Sequence, residues 1–222
     1  MPCPGIALTF DDHSVEEWYN CMPLFDSFKV KATFYVSNYP KLTAKDKWML
    51  HQLQDHGHEI AYHSLTHPDF VKYLKKHPAA QLLNEEIDKG MALMNADGFY
   101  PKTFAYPYGS HNSVTDQLLL TRFKSLRALN GSPDRAKSFT ATSDNTMLYS
   151  IGLDLSSGKN MDELLNLIYL AQKNNNCLVL VGHHINQSST KMQVPYERLK
   201  KIITTIYNLK MKFYTAAEIS RN

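Results

Sequence analysis

The sequence predicts an α/β protein with a parallel sheet or barrel. Short strand-like apolar segments alternate with longer helix-like segments along the whole chain, which is the order of repeated β-then-α units. Residues 177–181 form a continuous apolar run, typical of a strand buried on both faces. The chain has 222 residues and no Pro-, Gly- or Ser-rich linker divides it, so we predict one domain over residues 1–222.

The first half of the chain contains three predicted strands and three predicted helices. The first strand covers residues 5–10 and ends at Asp11 and Asp12. Ser14 is expected to cap the next helix, because Glu17 follows at the spacing of a capping box. The other elements of this half are strands at 33–36 and 59–62 and helices at 43–56 and 78–95.

The second half continues the same alternation. Pro107 and Gly109 end the fourth strand, because neither residue favours a continued strand. The predicted strands are 103–106, 125–129, 147–153, 177–181 and 212–215, the helices are 112–123, 161–173 and 195–209, and a terminal turn covers 216–221.

Composition excludes several classes of protein. The 24 Lys and Arg residues nearly balance the 21 Asp and Glu residues, for a net charge of +3, which argues against a nucleic-acid partner. The three cysteines, Cys3, Cys21 and Cys177, are scattered and odd in number, so neither a disulfide framework nor a thiolate zinc site is supported. No apolar stretch approaches the roughly 20 residues of a transmembrane segment, and no signal peptide is visible.

Polar residues cluster directly after the predicted strands. They are Asp11 and Asp12, His63 and His67, Tyr108, and His183 and His184. Each group alone has an ordinary explanation, such as a solvated turn, a chance pair of imidazoles or a packed aromatic turn. In an α/β barrel, however, the ends of the strands meet at one face, where the active site lies. The coincidence of these groups therefore favours a functional site.

The residue types fit a zinc hydrolase. Zinc accepts imidazole and carboxylate ligands, and catalytic sites keep three protein ligands and one open position. A spacing of four would place His63 and His67 on one face of the first turn of a helix. One carboxylate at the end of the first strand would complete the ligand set, leaving its neighbour to accept a proton from the attacking water.

The motifs resemble those of the polysaccharide deacetylase family, also called the NodB-homology domain or carbohydrate esterase family 4. Thr9-Phe10-Asp11-Asp12 is similar to the family's first motif, and residues 57–67, which read GHEIAYHSLTH, are similar to the second. Residues 104–109 carry the P-Y-G part of the third, and residues 181–183 stand where the late histidine motif belongs. The resemblance implies a distorted, TIM-barrel-like (β/α) barrel with about seven parallel strands.

The same resemblance implies a role for each matching residue. Asp12, His63 and His67 would bind a divalent metal, expected to be Zn²⁺ with Co²⁺ or Ni²⁺ as alternatives. Asp11 would be the general base, and His183 the general acid that protonates the departing amine. The backbone N–H of Tyr108 would stabilise the developing oxyanion.

The chain departs from the family pattern at several positions. His13 replaces a glycine after the first motif, and Ala105 replaces the arginine that pairs with the catalytic aspartate. Another group must replace that cation, or activity is reduced. Asp154 is a candidate for the aspartate that orients the catalytic histidine, the alternative being an exposed loop residue. His184 stays an alternative to His183 as the acid, because only one of two consecutive side chains can enter the site.

The resemblance implies a metal-dependent hydrolase that removes acetyl groups, above all N-acetyl, from a carbohydrate polymer or oligosaccharide. The alternatives are hydrolysis of another acyl or cyclic amide, and a catalytically weakened, glycan-binding member of the family. The expected partner is therefore an acetylated carbohydrate. An extracytoplasmic location is also implied, with a cytoplasmic one as the alternative, and the sequence leaves the oligomeric state open.

Overall fold

The computed structural model describes residues 4–129, 139–140, 145–186 and 192–220. The strands are β1 (Gly5–Asp12), β2 (Ala32–Val36), β3 (Glu59–Tyr62), β4 (Thr103–Ala105), β5 (Ser125–Leu129), β6 (Phe139–Thr140), β7 (Met147–Gly152), β8 (Cys177–Gly182), β9 (His184–Asn186), β10 (Gln193–Pro195) and β11 (Lys212–Phe213). The α-helices are α1 (Val15–Asn20), α2 (Met22–Ser27), α3 (Ala44–Asp55), α4 (Phe70–Tyr73), α5 (Ala79–Leu82), α6 (Lys89–Ala96), α7 (Ser113–Leu119), α8 (Met161–Lys173) and α9 (Tyr196–Asn208). A π-helical turn (Leu83–Asp88) joins α5 to α6, and 3₁₀ turns cover Tyr39–Lys41, Pro107–Gly109, Leu155–Ser157 and Ala217–Ile219.

Seven parallel strands form a closed barrel in the order β1, β2, β3, β4, β5, β7 and β8, and β8 pairs back onto β1. The predicted distorted (β/α) barrel is therefore confirmed. β11 extends the sheet beside the first residues of β1, and β6 pairs antiparallel with β8. β9 and β10 form a separate pair just beyond the end of β8.

The period of two along each strand divides the core into two parts. In β1 the side chains of Ile6, Leu8 and Phe10 belong to the large apolar cluster between barrel and helices. Ala7 alternates with them and belongs to a second cluster, inside the barrel. Asp11 lies in register with Tyr35, another interior residue, so the same alternation aims the Asp11 carboxylate into the barrel.

Glu59 ties the barrel to the last turn of the chain. Its partly buried carboxylate accepts hydrogen bonds from Thr33 Oγ1 at 3.0 Å, Thr103 Oγ1 at 2.8 Å and the backbone N–H of Ala217 at 2.9 Å. Burial raises the pKa of Glu59, although these donors oppose the effect. The glutamate of the GHEI sequence therefore has a structural role remote from the histidines that follow it.

Most predicted elements are present, and the differences have local causes. The expected capping box at Ser14 is wrong: Ser14 precedes α1, but its side chain makes no capping bond. The capping boxes that form are at Thr43, Asn112 and Asn160. The predicted helix over 112–123 ends early, at Leu119, and the last strand is only Lys212–Phe213.

The predictions about the cysteines, the terminal turn and membrane-spanning segments can be compared with the structure only in part. Cys21 and Cys177 are buried, whereas Cys3 lies outside the described residues. The same holds for Arg221 at the end of the predicted terminal turn. Among the helices in the described part of the chain, none is both long and apolar enough to span a lipid bilayer.

Candidate active site

Three of the predicted residues form a group with the chemistry of a metal centre. Candidate ligand atoms of Asp12, His63 and His67 all lie within 4.8 Å of one another. The Nε2 atoms of the two histidines are 3.1 Å apart, and Asp12 Oδ1 lies 3.5 Å from His67 Nε2 and 3.9 Å from His63 Nε2. Tetrahedral ligands about 2 Å from a zinc ion are about 3.3 Å from one another, so these spacings suit a divalent ion.

The hydrogen bonding of His63 fixes which ring nitrogen is available to a metal. Its Nδ1 lies 2.7 Å from the carbonyl oxygen of Ala105, and because a carbonyl can only accept, Nδ1 carries the proton. Burial lowers the pKa of His63 to about 4, so the ring is neutral at pH 7. The lone pair therefore resides on Nε2, the atom that faces His67 and Asp12, as a metal ligand requires.

The segment between the two histidines is a loop, not a helix. The prediction that His63 and His67 share the first turn of a helix is therefore wrong. Ser64 and His67 have φ values of 66° and 64°, in the left-handed region, and Ser64 Oγ accepts a hydrogen bond from the His67 N–H at 3.0 Å. This tight turn brings both imidazoles together by folding the chain back rather than by helical spacing.

Asp11 and Asp12 separate at the end of β1 because of the backbone at Asp12. Asp12 has a φ of 82°, which turns its side chain towards the histidines, while Asp11 points into the barrel with only 3% of its surface exposed. One Asp11 oxygen lies 3.9 Å from His63 Nε2. The two consecutive carboxylates therefore border the same centre from different positions, and Asp11 is free to accept a proton.

Arg127 supplies the cation that is absent at Ala105. Its guanidinium is buried and donates to both oxygens of Asp11. Arg127 lies on β5 directly opposite Ala105 on β4, so the charge occupies the neighbouring strand at the same level of the barrel. Burial is the largest single effect on Asp11 and would raise its pKa, but the charge of Arg127, its hydrogen bond and the smaller effects of the neighbouring histidines together outweigh burial, and the pKa is lowered.

Small residues leave room for the guanidinium inside the barrel. Ala7, Ala61 and Ala105 are fully buried members of the interior cluster. The guanidinium carbon of Arg127 lies 5.2 Å from the ring centre of Tyr35, within the range of a cation–π contact. The alanine at position 105 is thus part of the same packing arrangement as the arginine opposite it.

His183 has the partner expected of an oriented catalytic histidine. Asp154 Oδ2 lies 2.8 Å from His183 Nδ1, and Oδ1 accepts the backbone N–H of His183 at 3.1 Å. Burial is the largest single effect on His183 and favours a lower pKa, but the hydrogen bond to Asp154 and the charges of Asp11, Asp154 and Asp12 together outweigh it and raise the pKa. Asp154 is 3% exposed, so the alternative of an exposed loop aspartate is wrong.

His184 points away from this centre. Its Nδ1 lies 2.8 Å from Ser14 Oγ and 3.3 Å from a Glu17 oxygen. Glu17 also accepts the backbone N–H of Ile185 at 2.8 Å. Ser14 and Glu17, predicted as a capping box, thus bond to β9 instead.

α1 also holds the backbone of the acid candidate. The buried Trp18 donates its indole N–H to the carbonyl oxygen of His183 at 2.9 Å. Because α1 follows Asp12 directly, it connects the carboxylate side of the site to the His183 side. The geometry of the two halves is therefore linked through one short helix.

Tyr108 and His13 are both exposed to solvent. Tyr108 has a φ of 58°, its ring centre is 4.7 Å from that of His67, and 66% of its surface is exposed. His13 is exposed and lines a shallow cleft of about 360 Å³ together with Glu16, Asp46 and His184. The side chain of Tyr108 is thus beside His67, while His13 faces the cleft that His184 also lines.

Sequence reasoning missed Arg127 and Glu86. Arg127 interrupts the apolar segment Ser125–Leu129, and a charged residue at an interior position of a strand was the available signal. Glu86 is a buried carboxylate within the predicted helix 78–95, and nothing in its local pattern sets it apart from the half-buried Glu85.

Two curated proteins are similar in sequence to about half of this chain. A bifunctional xylanase/deacetylase of Pseudobutyrivibrio xylanivorans is 32% identical over 112 residues, which are 50% of this chain and 18% of that protein. The peptidoglycan-N-acetylglucosamine deacetylase PgdA of Listeria monocytogenes is 29% identical over 108 residues, 48% of this chain and 22% of that protein. These matches thus span about a fifth of the length of the curated relatives.

The fold is also that of a solved deacetylase structure. The chitin deacetylase of the fungal pathogen Colletotrichum lindemuthianum superposes with a TM-score of 0.68 at 16% identity, covering 99% of this chain and 88% of that one. The family model described as polysaccharide deacetylase matches residues 1–121, more than half of the chain. The protein therefore belongs to the polysaccharide deacetylase family.

Proposed function

We propose that this protein is a metal-dependent hydrolase that removes N-acetyl groups from a carbohydrate polymer or oligosaccharide. The observation that carries the proposal is the arrangement of Asp12, His63 and His67 beside a separate buried carboxylate, Asp11, and an oriented imidazole, His183. Membership of the polysaccharide deacetylase family supports it. So do the relatives, one of which is named as a peptidoglycan-N-acetylglucosamine deacetylase.

The ligand set of Asp12, His63 and His67 fits a divalent ion. When bound, such an ion supplies Lewis-acid polarisation of the acetyl carbonyl and lowers the pKa of a neighbouring water. Asp11 has a lowered pKa and is therefore a carboxylate at neutral pH, ready to accept the proton of the attacking water. Arg127 holds that carboxylate in place.

The remaining steps concern the developing oxyanion and the leaving nitrogen. Tyr108 adopts a left-handed backbone, and its N–H is proposed to donate to the oxyanion. His183 has a raised pKa because Asp154 and Asp11 stabilise its protonated form. It is therefore suited to give a proton to the amine nitrogen as the C–N bond breaks. Asp154 keeps the Nδ1 side of the ring occupied, which leaves Nε2 as the proton donor.

Acetate release from a panel of substrates tests the proposal. The panel contains acetylated chitooligosaccharides, peptidoglycan fragments and acetylxylan, assayed after loading the protein with Zn²⁺, Co²⁺ or Ni²⁺. N-acetyl substrates are expected to react and acetylxylan to react less. Asp11→Asn is expected to abolish release while keeping the metal content, and His63→Ala to lose the metal. No release from any substrate by a metal-loaded protein would contradict the proposal.

A further inference from the structure

The helix that packs beside the histidine loop contains an irregular turn. Between α5 and α6, residues Leu83–Asp88 form a π-helical turn, which inserts one extra residue into the helix. Such insertions are rare and occur often at functional sites, because they reorient one turn of side chains. Glu86 lies within this turn and is 5% exposed. A buried carboxylate at this place requires an explanation.

The Glu86 carboxylate and backbone carbonyl both accept hydrogen bonds from the segment that carries the two histidines. Its two carboxylate oxygens accept hydrogen bonds from Thr66, one from the backbone N–H at 2.9 Å and one from Oγ1 at 2.5 Å. Its backbone carbonyl accepts the Leu65 N–H at 3.2 Å and the Tyr62 hydroxyl at 2.7 Å. One residue thus holds the chain immediately before His63 and between His63 and His67.

The loop needs external bonds of this kind. Ser64 and His67 both have a left-handed backbone, which costs a non-glycine residue about 1–2 kcal/mol. Within the loop, Ser64 Oγ supports the His67 N–H. The four bonds to Glu86 come from outside the loop and oppose its relaxation to an ordinary backbone.

The absence of a side chain at Gly90 allows the Tyr62 hydroxyl to reach the backbone carbonyl of Glu86. Gly90 lies one helical turn after Glu86, and a Cβ atom there would be 1.6 Å from the Tyr62 hydroxyl oxygen. Glycine inside a helix is about 1 kcal/mol less favourable than alanine. The Tyr62 hydroxyl occupies the space that an alanine side chain would need, and so reaches the Glu86 carbonyl.

The geometry points to Glu86 as a positioning residue that fixes the separation of the His63 and His67 imidazoles and thereby sets the affinity for a divalent cation. This inference rests on the metal site of the proposed function. Residues that orient metal ligands from behind typically change metal affinity by about 10- to 100-fold when they are replaced. Among the described residues, the hydrogen bonds of the Glu86 carboxylate go to Thr66 and not to a metal-ligand atom, so its effect passes through the loop.

Zinc affinity of the metal-free full chain is the direct test. Binding is measured by competition with a chromophoric chelator for the wild type, Glu86→Ala and Glu86→Gln. Glu86→Ala is expected to bind zinc about 10- to 100-fold more weakly. Glu86→Gln is expected to recover most of the affinity, because its amide oxygen can accept from the Thr66 N–H while its amide group donates to Thr66 Oγ1.

Tyr39→Phe is the matched control. Tyr39 is buried and donates its hydroxyl to Asp97, the residue at the end of α6, at 2.8 Å. Removing the Tyr39 hydroxyl weakens the attachment of the same helix but leaves the hydrogen bonds to residues 62–66 in place. At a comparable fall in Tm, Tyr39→Phe is expected to keep wild-type zinc affinity. Equal weakening in both variants would mean that Glu86 acts on stability alone and would overturn the inference.

Amide hydrogen exchange in the metal-free protein gives a readout independent of zinc. The Leu65 and Thr66 amides are expected to exchange faster in Glu86→Ala than in Tyr39→Phe. If the wild type binds zinc and Glu86→Ala binds it equally well, the role of Glu86 is wrong and the proposed function stands. If the wild type binds no zinc, the metal site itself is wrong, and both proposals fall.

Discussion

Replacing Arg127 tests whether this residue is the charge partner of Asp11, in place of the arginine that Ala105 replaces. Arg127 and Asp11 are both buried, with side-chain exposures of 1% and 4%, so solvent screens their attraction little. In Arg127→Met the side-chain volume is nearly kept, but the Asp11 charge loses its partner. Removing one member of a buried pair typically costs about 3–5 kcal/mol of the free energy of unfolding, and we expect a loss in that range.

The same variant should change the pH dependence of catalysis. In the wild type Arg127 lowers the pKa of Asp11 against the effect of burial. Without the guanidinium, burial dominates and the pKa of Asp11 rises, so Asp11 becomes protonated at higher pH. Because the base must be deprotonated, the acid limb of kcat/KM is expected to move to higher pH. Arg127→Lys keeps a positive charge and should move it less.

Urea unfolding and pH–rate profiles measure these two effects. Asp11→Asn/Arg127→Met leaves no unpaired charge, so it should lose about 2–3 kcal/mol less than the two single variants summed. Arg122→Met is the matched control, since its pair with Asp88 is exposed and worth at most about 1 kcal/mol. If Arg127→Met kept the wild-type acid limb of kcat/KM and a stability similar to that of Arg122→Met, the role of Arg127 as the charge partner of Asp11 would be refuted.

Three further predictions concern His183, α1 and His58. Asp154→Asn removes the carboxylate that raises the pKa of His183, so the basic limb of kcat/KM should move to lower pH, as a pH–rate profile would show. Trp18→Phe removes the bond to the His183 carbonyl and should lower kcat more than it raises KM, in contrast to the exposed Trp48→Phe. Burial lowers the pKa of His58 to about 4, so its neutral folded form binds fewer protons than the unfolded chain. Stability should therefore fall as pH falls from 6.5 towards 4, by about 3 kcal/mol from this group. In His58→Phe that slope should be smaller in urea titrations of metal-free protein, and an unchanged slope would contradict the assignment.

The order of strands and polar residues along the sequence was sufficient to predict which residues lie together at the ends of the strands. Asp11, Asp12, His63 and His67 stand at the ends of β1 and β3, where barrel geometry brings them together. The backbone between the histidines was not predictable from spacing alone, because a separation of four suits both a helix and a folded-back loop. The left-handed Ser64 carries no sequence signal comparable to a glycine.

Hydrogen bonds and ion pairs between residues far apart in the sequence were the main features that could not be predicted. Ser14 and Glu17 have the spacing of a capping box, but β9 offers His184 and Ile185 as competing partners, and the tertiary bonds form instead. Arg127 is separated from Asp11 by 116 positions. The pairing of strands around the barrel brings the two residues together, and that pairing cannot be predicted from the sequence near either residue.

Strand spacing in the barrel explains how Arg127 reaches Asp11. Register partners on neighbouring parallel strands are about 4.8 Å apart and point to the same side. A long guanidinium can therefore reach Asp11 from β5 as well as from β4, provided that the facing position is small, and here it is Ala105. In this chain the cation at this level of the barrel interior comes from β5 and not from the β4 motif position.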